Sequence, residues 1–179
     1  MDIKSLTIYC SSSEKLDQKF NDLAEKIGFF LGLNKITIIY GGGNIGLMGK
    51  LSNVALKKGS KVIGVIPEFL KIGENLNLDI SKTIIVKTMS QRKKILFEKG
   101  DAFLILPGGS GTIEEATEVI SWKILGVHKK PIIIFNFENY WNSMIEMYNN
   151  AKKNKFGDKN LQSVCKIVKT FEEFSLLFK

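Results

Sequence analysis

The stretch Ala102-Phe-Leu-Ile-Leu106, followed by Pro107-Gly-Gly-Ser-Gly-Thr-Ile-Glu-Glu115, decides the fold. A short apolar run stopped by proline and glycine reads as a buried strand. The residues after the glycine turn take up helical periodicity, so strand, turn and helix start lie together. Backbone N–H groups at such a helix start can face an anion. Glu114 and Glu115 sit just inside the helix, so the same few residues can hold a phosphate and do chemistry beside it.

Outward from this stretch the chain keeps alternating. Strands are expected over Lys4–Cys10, Lys35–Tyr40, Lys61–Ile66, Thr83–Lys87, Asp101–Leu106, Pro131–Phe135 and Val164–Lys169. Helices are expected over Glu14–Leu31, Gly46 to about Lys58, Met89–Lys99, Thr112–Leu125, Tyr140–Lys153 and Glu172–Phe178. Glu68–Ser81 reads as a polar loop. Strands separated by helical crossovers imply an α/β fold: a single-domain, Rossmann-like, doubly wound parallel sheet with helices on both faces. With no repeat, low-complexity tract or linker, one domain is expected over residues 1–179.

Composition agrees with one globular domain: 179 residues, 44% hydrophobic and 25% charged. No apolar run approaches membrane-spanning length and the N-terminus shows no signal-peptide pattern, so a soluble cytoplasmic protein with no membrane partner is expected. Cys10 and Cys165 have no metal-ligand spacing, and His128 is the single histidine. Buried free thiols are expected, with no metal and no cofactor. The net charge of +8 invites a nucleic-acid reading, but the lysines are scattered and no binding motif accompanies them, so no nucleic-acid partner is expected. Arg92 is the only arginine. In a chain that otherwise uses lysine, it marks a place suited to a planar, five-donor fork.

In such sheets ligands bind outside the carboxyl ends of the strands. Three turns fall there: Cys10-Ser-Ser-Ser13, Gly41-Gly-Gly43 and Pro107-Gly-Gly-Ser-Gly-Thr112. Their convergence points to a phosphate-bearing ligand. Gly41, Gly43 and Gly46 also satisfy G-x-G-x-x-G, with Glu68 about where a ribose-binding acid belongs, but this pattern follows the second strand rather than the first. It also leaves the second glycine loop and Arg92 unexplained. No Gly-Lys-Ser/Thr closes either run, which excludes a Walker A loop.

Two helices carry the remaining candidates. In the helix after Leu106, Ile113, Ala116, Thr117, Ile120 and Ile124 line one face, while Glu114, Glu115 and Glu118 point away. Thr112-Ile-Glu-Glu115 fits a capping box, a purely structural use. Alternatively, Gly109 to Thr112 donate to a phosphate and Glu115 faces the ligand. In the other helix, Met89, Ile95, Leu96 and Phe97 define the inward direction, with Arg92 and Lys93 on its flanks. An arginine so placed needs an anion, either a structural carboxylate or a ligand phosphate. The helix ends just before the strand that feeds the glycine loop, which favours the ligand.

Tyr40-Gly-Gly-Gly-Asn-Ile-Gly-Leu-Met-Gly49, Met89-Ser-Gln-Arg-Lys93 and Pro107–Glu115 together resemble the LONELY GUY family of nucleoside 5′-monophosphate phosphoribohydrolases, whose members are often mislabelled lysine decarboxylases. Val62–Pro67 and Ser121–Gly126 extend the resemblance over nearly the whole chain. It implies hydrolysis of the N-glycosidic bond of a nucleotide such as an N6-modified AMP, and a homodimer with active sites near the interface. It implies catalytic roles for Arg92 and Glu115. Substrate contacts are implied at Gly43, Glu74, Lys93, Gly108, Gly109, Ser110, Gly111, Thr112, Ile113, Glu114 and Ser121 as well. The chain departs from the family at Ser90-Gln91, where His-Glu is usual, and in Cys10-Ser-Ser-Ser13, where Cys-Gly-Ser-Ser is usual.

A non-catalytic carrier of a phosphorylated ligand, resembling molybdenum-cofactor carriers, is the alternative, since it shares the fold and a similar glycine loop. Arg92 together with Glu115 favours the enzyme, because a carrier needs phosphate donors but no positioned carboxylate. His128 in its turn, and Trp122 and Trp141 among apolar neighbours, read as structural.

Overall fold

The computed structural model describes residues 2–71, 75–157 and 159–178. The strands are β1 Ser5–Tyr9, β2 Thr37–Tyr40, β3 Val62–Pro67, β4 Lys82–Val86, β5 Ala102–Ile105, β6 Ile132–Phe135 and β7 Lys166–Val168. The helices are α1 Gln18–Leu33, α2 Gly46–Lys57, α3 Met89–Lys99, α4 Ser110–Ile124, α5 Asn142–Lys153, α6 Leu161–Val164 and α7 Phe171–Leu176. Among the described residues the strands form one sheet, β4-β3-β2-β1-β5-β6-β7, and every pairing is parallel. The expected α/β architecture is therefore present, with all seven anticipated strands.

Strand periodicity divides the core between the two faces. Leu6 and Ile8 of β1 and Leu104 of β5 pack with Leu23, Ile27 and Leu31 of α1, Leu51 of α2 and Phe174 of α7. Tyr9, Phe103 and Ile105 face the other way, with Leu96 of α3, Ala116 and Ile120 of α4, Met144 of α5 and Leu161 of α6. Because both faces are covered, β5 is buried along its whole length, as its unbroken apolar run requires. Thr7 is a polar exception at 0% exposure. Its hydroxyl donates to the carbonyl of Leu96 at 2.7 Å, which satisfies it and ties α3 to β1.

Element ends differ from expectation where local chemistry overrides periodicity. The first helix starts at Gln18 because the Asp17 carboxylate accepts from the N–H of Lys19 and caps it. The helix expected from Tyr140 starts at Asn142, since Glu138 and Asn139 hold φ of 53° and 58°. Asn160 caps a short helical turn that takes Val164 out of the expected last strand. Cys10 and Cys165 thus sit just outside β1 and β7, both free and buried. In α3 the inward line runs through Arg92 and Leu96, whereas Met89 is 36% exposed. Ile113 of α4 is likewise exposed rather than part of the buried face. Trp141 lies in the core, and Trp122 packs edge-on against Phe97 at 4.8 Å.

His128 is half-buried between aromatic rings, 5.2 Å from Phe97 and 5.7 Å from Phe103, and its Nε2 meets the carbonyl of Val119 at 2.8 Å. Desolvation by burial holds its pKa below the ordinary 6.5, outweighing the bond to Val119. The unfolded chain therefore binds a proton more readily, and stability falls as pH drops through about 6.5. Urea midpoints at pH 7.5 and 5.5 should show this fall in the wild type, and His128→Phe should flatten it.

Candidate functional site

From β1 the chain steps outward through β2, β3 and β4, and α3 then carries it back to β5 on the other side of β1. Neighbouring loops at the carboxyl ends of β1 and β5 so depart in opposite directions and leave a crevice at this switch point. A cleft of about 330 Å³ lies there. It is lined by Tyr9, Cys10 and Ser11 to Ser13 from β1 onward, Gly41 after β2, Met48 of α2, Arg92 of α3, Gly109, and Ser110, Gly111, Thr112 and Glu115 of α4.

Both glycine turns lead into helices, but only one helix start is open. At α2, the N–H groups of Leu47 and Met48 donate to the carbonyl of Ser11 at 3.0 and 3.4 Å. Gly46, at φ +59°, allows this close approach: a Cβ there would fall 2.6 Å from the backbone of Ser12 and Ser13. Two donors at the start of α2 are thus spent on the β1 loop. The N-cap of α4 is Gly109, and no side chain caps it. The first N–H groups of a helix have no partner within it, so those of Ser110, Gly111 and Thr112 are available at the cleft. Such donors can face an anion, with the helix dipole in support. The capping box is therefore not formed. Thr112 lies inside the helix rather than at its N-cap, and its hydroxyl packs against Gly108, which has no room for a side chain.

Arg92 is 7% exposed and reaches the cleft from α3. A Cβ on Gly41 would collide with its guanidinium, so the glycine after β2 admits the arginine. The next residue has a different task. Lys93 bridges α3 to α4, with Nζ 2.5 Å from Glu114 and 3.0 Å from Glu118. Hydrogen bonds to Glu114 and then Glu118 hold its pKa above the ordinary lysine value. The bridge sets the spacing between the helices that carry Arg92 and Glu115.

The cleft brings together Arg92, Gly109, Ser110, Gly111, Thr112 and Glu115 of the anticipated site residues. Gly108 supports them from beneath, its carbonyl accepting from the Tyr140 hydroxyl at 2.7 Å. Lys93 and Glu114 belong to the interhelical bridge. Ile113 and Ser121 are exposed, and Gly43 pairs with Leu76 in an isolated bridge; none of the three is in the cleft lining. Glu74 lies outside the described residues. Tyr9, Met48 and Gly41 line the cleft without having been singled out as contacts. The signal for Tyr9 and the serines was their place at the carboxyl end of the strand beside β5.

Gly109 and Gly111 have φ outside the left-handed region, and an added Cβ would meet nothing within 4 Å. Neither packing nor backbone conformation requires glycine there. Gly111→Ala should leave the melting temperature unchanged or slightly raised, since alanine is the better helix former. Calorimetry should show inorganic phosphate binding weakened by about tenfold or more, because the methyl group holds the anion away from backbone donors worth roughly 1.5–3 kcal/mol each to a charged group. Gly41→Ala should weaken it too, by displacing Arg92.

Sequence and structure comparisons extend this geometry. A family described as "Possible lysine decarboxylase" matches residues 48–176. A cytokinin riboside 5′-monophosphate phosphoribohydrolase of Rhodococcoides fascians is 40% identical over 149 residues, covering 83% of this chain and 75% of that protein. One from Arabidopsis thaliana is 37% identical over 177 residues, covering 95% and 82%. Among solved structures, the molybdenum cofactor binding protein of Rippkaea orientalis superposes with a TM-score of 0.71 at 20% identity, covering 99% of this chain and 96% of that one, a likeness of fold. With a family match over residues 48–176 and relatives at this identity and coverage, the chain belongs to the LONELY GUY family of cytokinin riboside 5′-monophosphate phosphoribohydrolases.

Proposed function

We propose that this chain hydrolyses the N-glycosidic bond of a nucleoside 5′-monophosphate, such as AMP or an N6-modified AMP, to give the free base and ribose 5-phosphate. The observation that carries this reading is the uncapped start of α4 opening into the same cleft that Arg92 and Glu115 line. The N–H groups of Ser110 to Thr112 hold the 5′-phosphate, with the hydroxyls of Ser11 to Ser13 across the cleft as further donors. The phosphate end is thereby fixed, and the anomeric carbon is held near Glu115.

As the C1′–N bond breaks, the sugar becomes oxocarbenium-like. The Glu115 carboxylate offsets that charge and orients the water whose oxygen bonds to C1′. Arg92 clamps anionic oxygen in a largely buried position, where its charge is weakly screened. A carrier of a phosphorylated ligand would use the same helix start but has no task for a carboxylate facing the sugar. The hydrolase reading therefore stands ahead of it.

Exposed apolar side chains at Met89, Ile113 and Leu125, on or at the end of α3 and α4, support a homodimer, and two buried free thiols fit a reducing cytoplasm. Light scattering should give a particle of twice the chain mass.

Incubation with AMP and with N6-isopentenyl-AMP should release free base. No release from any nucleoside monophosphate while binding persists would overturn the reading. Glu115→Gln should lower kcat by about 100-fold or more without changing the melting temperature, in keeping with the loss of a charged group acting on the transition state.

A further inference from the structure

Tyr9 ends β1 and lines the cleft, yet the chemistry above leaves it without a task. It points to the α3–α4 side of the sheet, its ring stacked on Phe103 at 6.0 Å and the residue 4% exposed. The ring is thus fixed, and the phenol lies among the charges of Glu115, Glu118, Arg92 and Glu114. Burial, followed by the carboxylates of Glu115, Glu118 and Glu114, raises its pKa well above the ordinary phenol value, against a smaller lowering by Arg92. The phenol therefore keeps its proton at any physiological pH and has a hydrogen to donate. No hydrogen bond joins it to another described residue, and its oxygen is not among the buried atoms left without a partner, so it is reached from the cleft.

Glu115 is its chemical complement, an acceptor without a proton to give when ionised. A donor and an acceptor facing one cleft match a group that both accepts and donates. Beside the anomeric carbon of a nucleoside 5′-monophosphate, that group is the 2′-hydroxyl. We propose that Tyr9 and Glu115 together read the ribose 2′-hydroxyl, Tyr9 donating to its oxygen and Glu115 accepting its hydrogen, so that the cleft selects ribonucleotides over 2′-deoxyribonucleotides. This assignment rests on the cleft being a nucleoside monophosphate site and specifies which sugar it takes. Without the 2′-hydroxyl the donor is covered by the bound sugar and left unpaired, the situation in which sites built for a hydroxyl reject analogues that lack it.

The test is calorimetric binding of ribose 5-phosphate and 2-deoxyribose 5-phosphate to the wild type and to Tyr9→Phe, which keeps the stacked ring. The wild type should prefer the ribose form by about tenfold or more, and Tyr9→Phe should bring the two within about threefold by weakening the ribose ligand alone. A wild type without preference overturns the assignment before any variant is made. So does a Tyr9→Phe chain that keeps the preference or weakens both ligands equally. Base release from AMP and 2′-deoxy-AMP separates this from the hydrolase reading. No release with the binding preference and its loss intact removes the hydrolase and leaves Tyr9 in place; release with a preference indifferent to Tyr9→Phe removes Tyr9 alone.

Discussion

The parallel pairing of β1 with β5 is the contact on which the rest of the cleft depends. Its register sets Tyr9 beside Ile105, and the N–H of Leu106 donates to the Tyr9 carbonyl at 3.0 Å. The pairing continues past the strands, where the N–H of Ser11 donates to the carbonyl of Pro107 at 3.1 Å. Two loops that leave in opposite directions are thus held together at their roots, and what lies between them is the crevice. The carbonyl of Ser11 also takes up the helix donors of α2, which leaves α4 as the helix with its start open to the cleft.

Charge inside the cleft is managed by placement. A buried guanidinium is costly unless paired or turned toward a polar space. Arg92 sits on the inward line of α3 because Gly41 leaves the volume for it. Beyond the cleft, Lys93 joins α3 to α4 through Glu114 and Glu118, so neighbouring basic residues do unlike work: one lines the cleft and the other joins the helices around it. Such an arrangement keeps the geometry in place before a ligand arrives, which is where positioning contributes to catalysis.

Much of the fold was legible in order and type. Short apolar runs such as Ala102–Leu106 and amphipathic stretches such as Met89–Lys99 carry their own periods, and a sheet covered on both faces is the one arrangement that buries them all. Element ends were less legible, because capping by Asp17 and Asn160 and the left-handed backbone at Glu138 and Asn139 are local choices that periodicity does not report. At the site, the resemblance carried Arg92 and Glu115, and both line the cleft.

The sequence by itself determined the alternation of strands and helices, the position of both glycine turns, and the singular Arg92, since each is a property of neighbours along the chain. Only the tertiary structure decided that Thr112 and Glu115 do not form a capping box. The N-cap falls at Gly109, so the hydroxyl that could have capped the helix packs against Gly108, and the free donors face the cleft. It also decided which glycine turn remains open, because the acceptor that occupies α2 comes from Ser11, far away in sequence. Tyr9 entered the site for the same reason: a strand residue's surroundings are set by the helices that pack across its face, and those are assembled from distant parts of the chain.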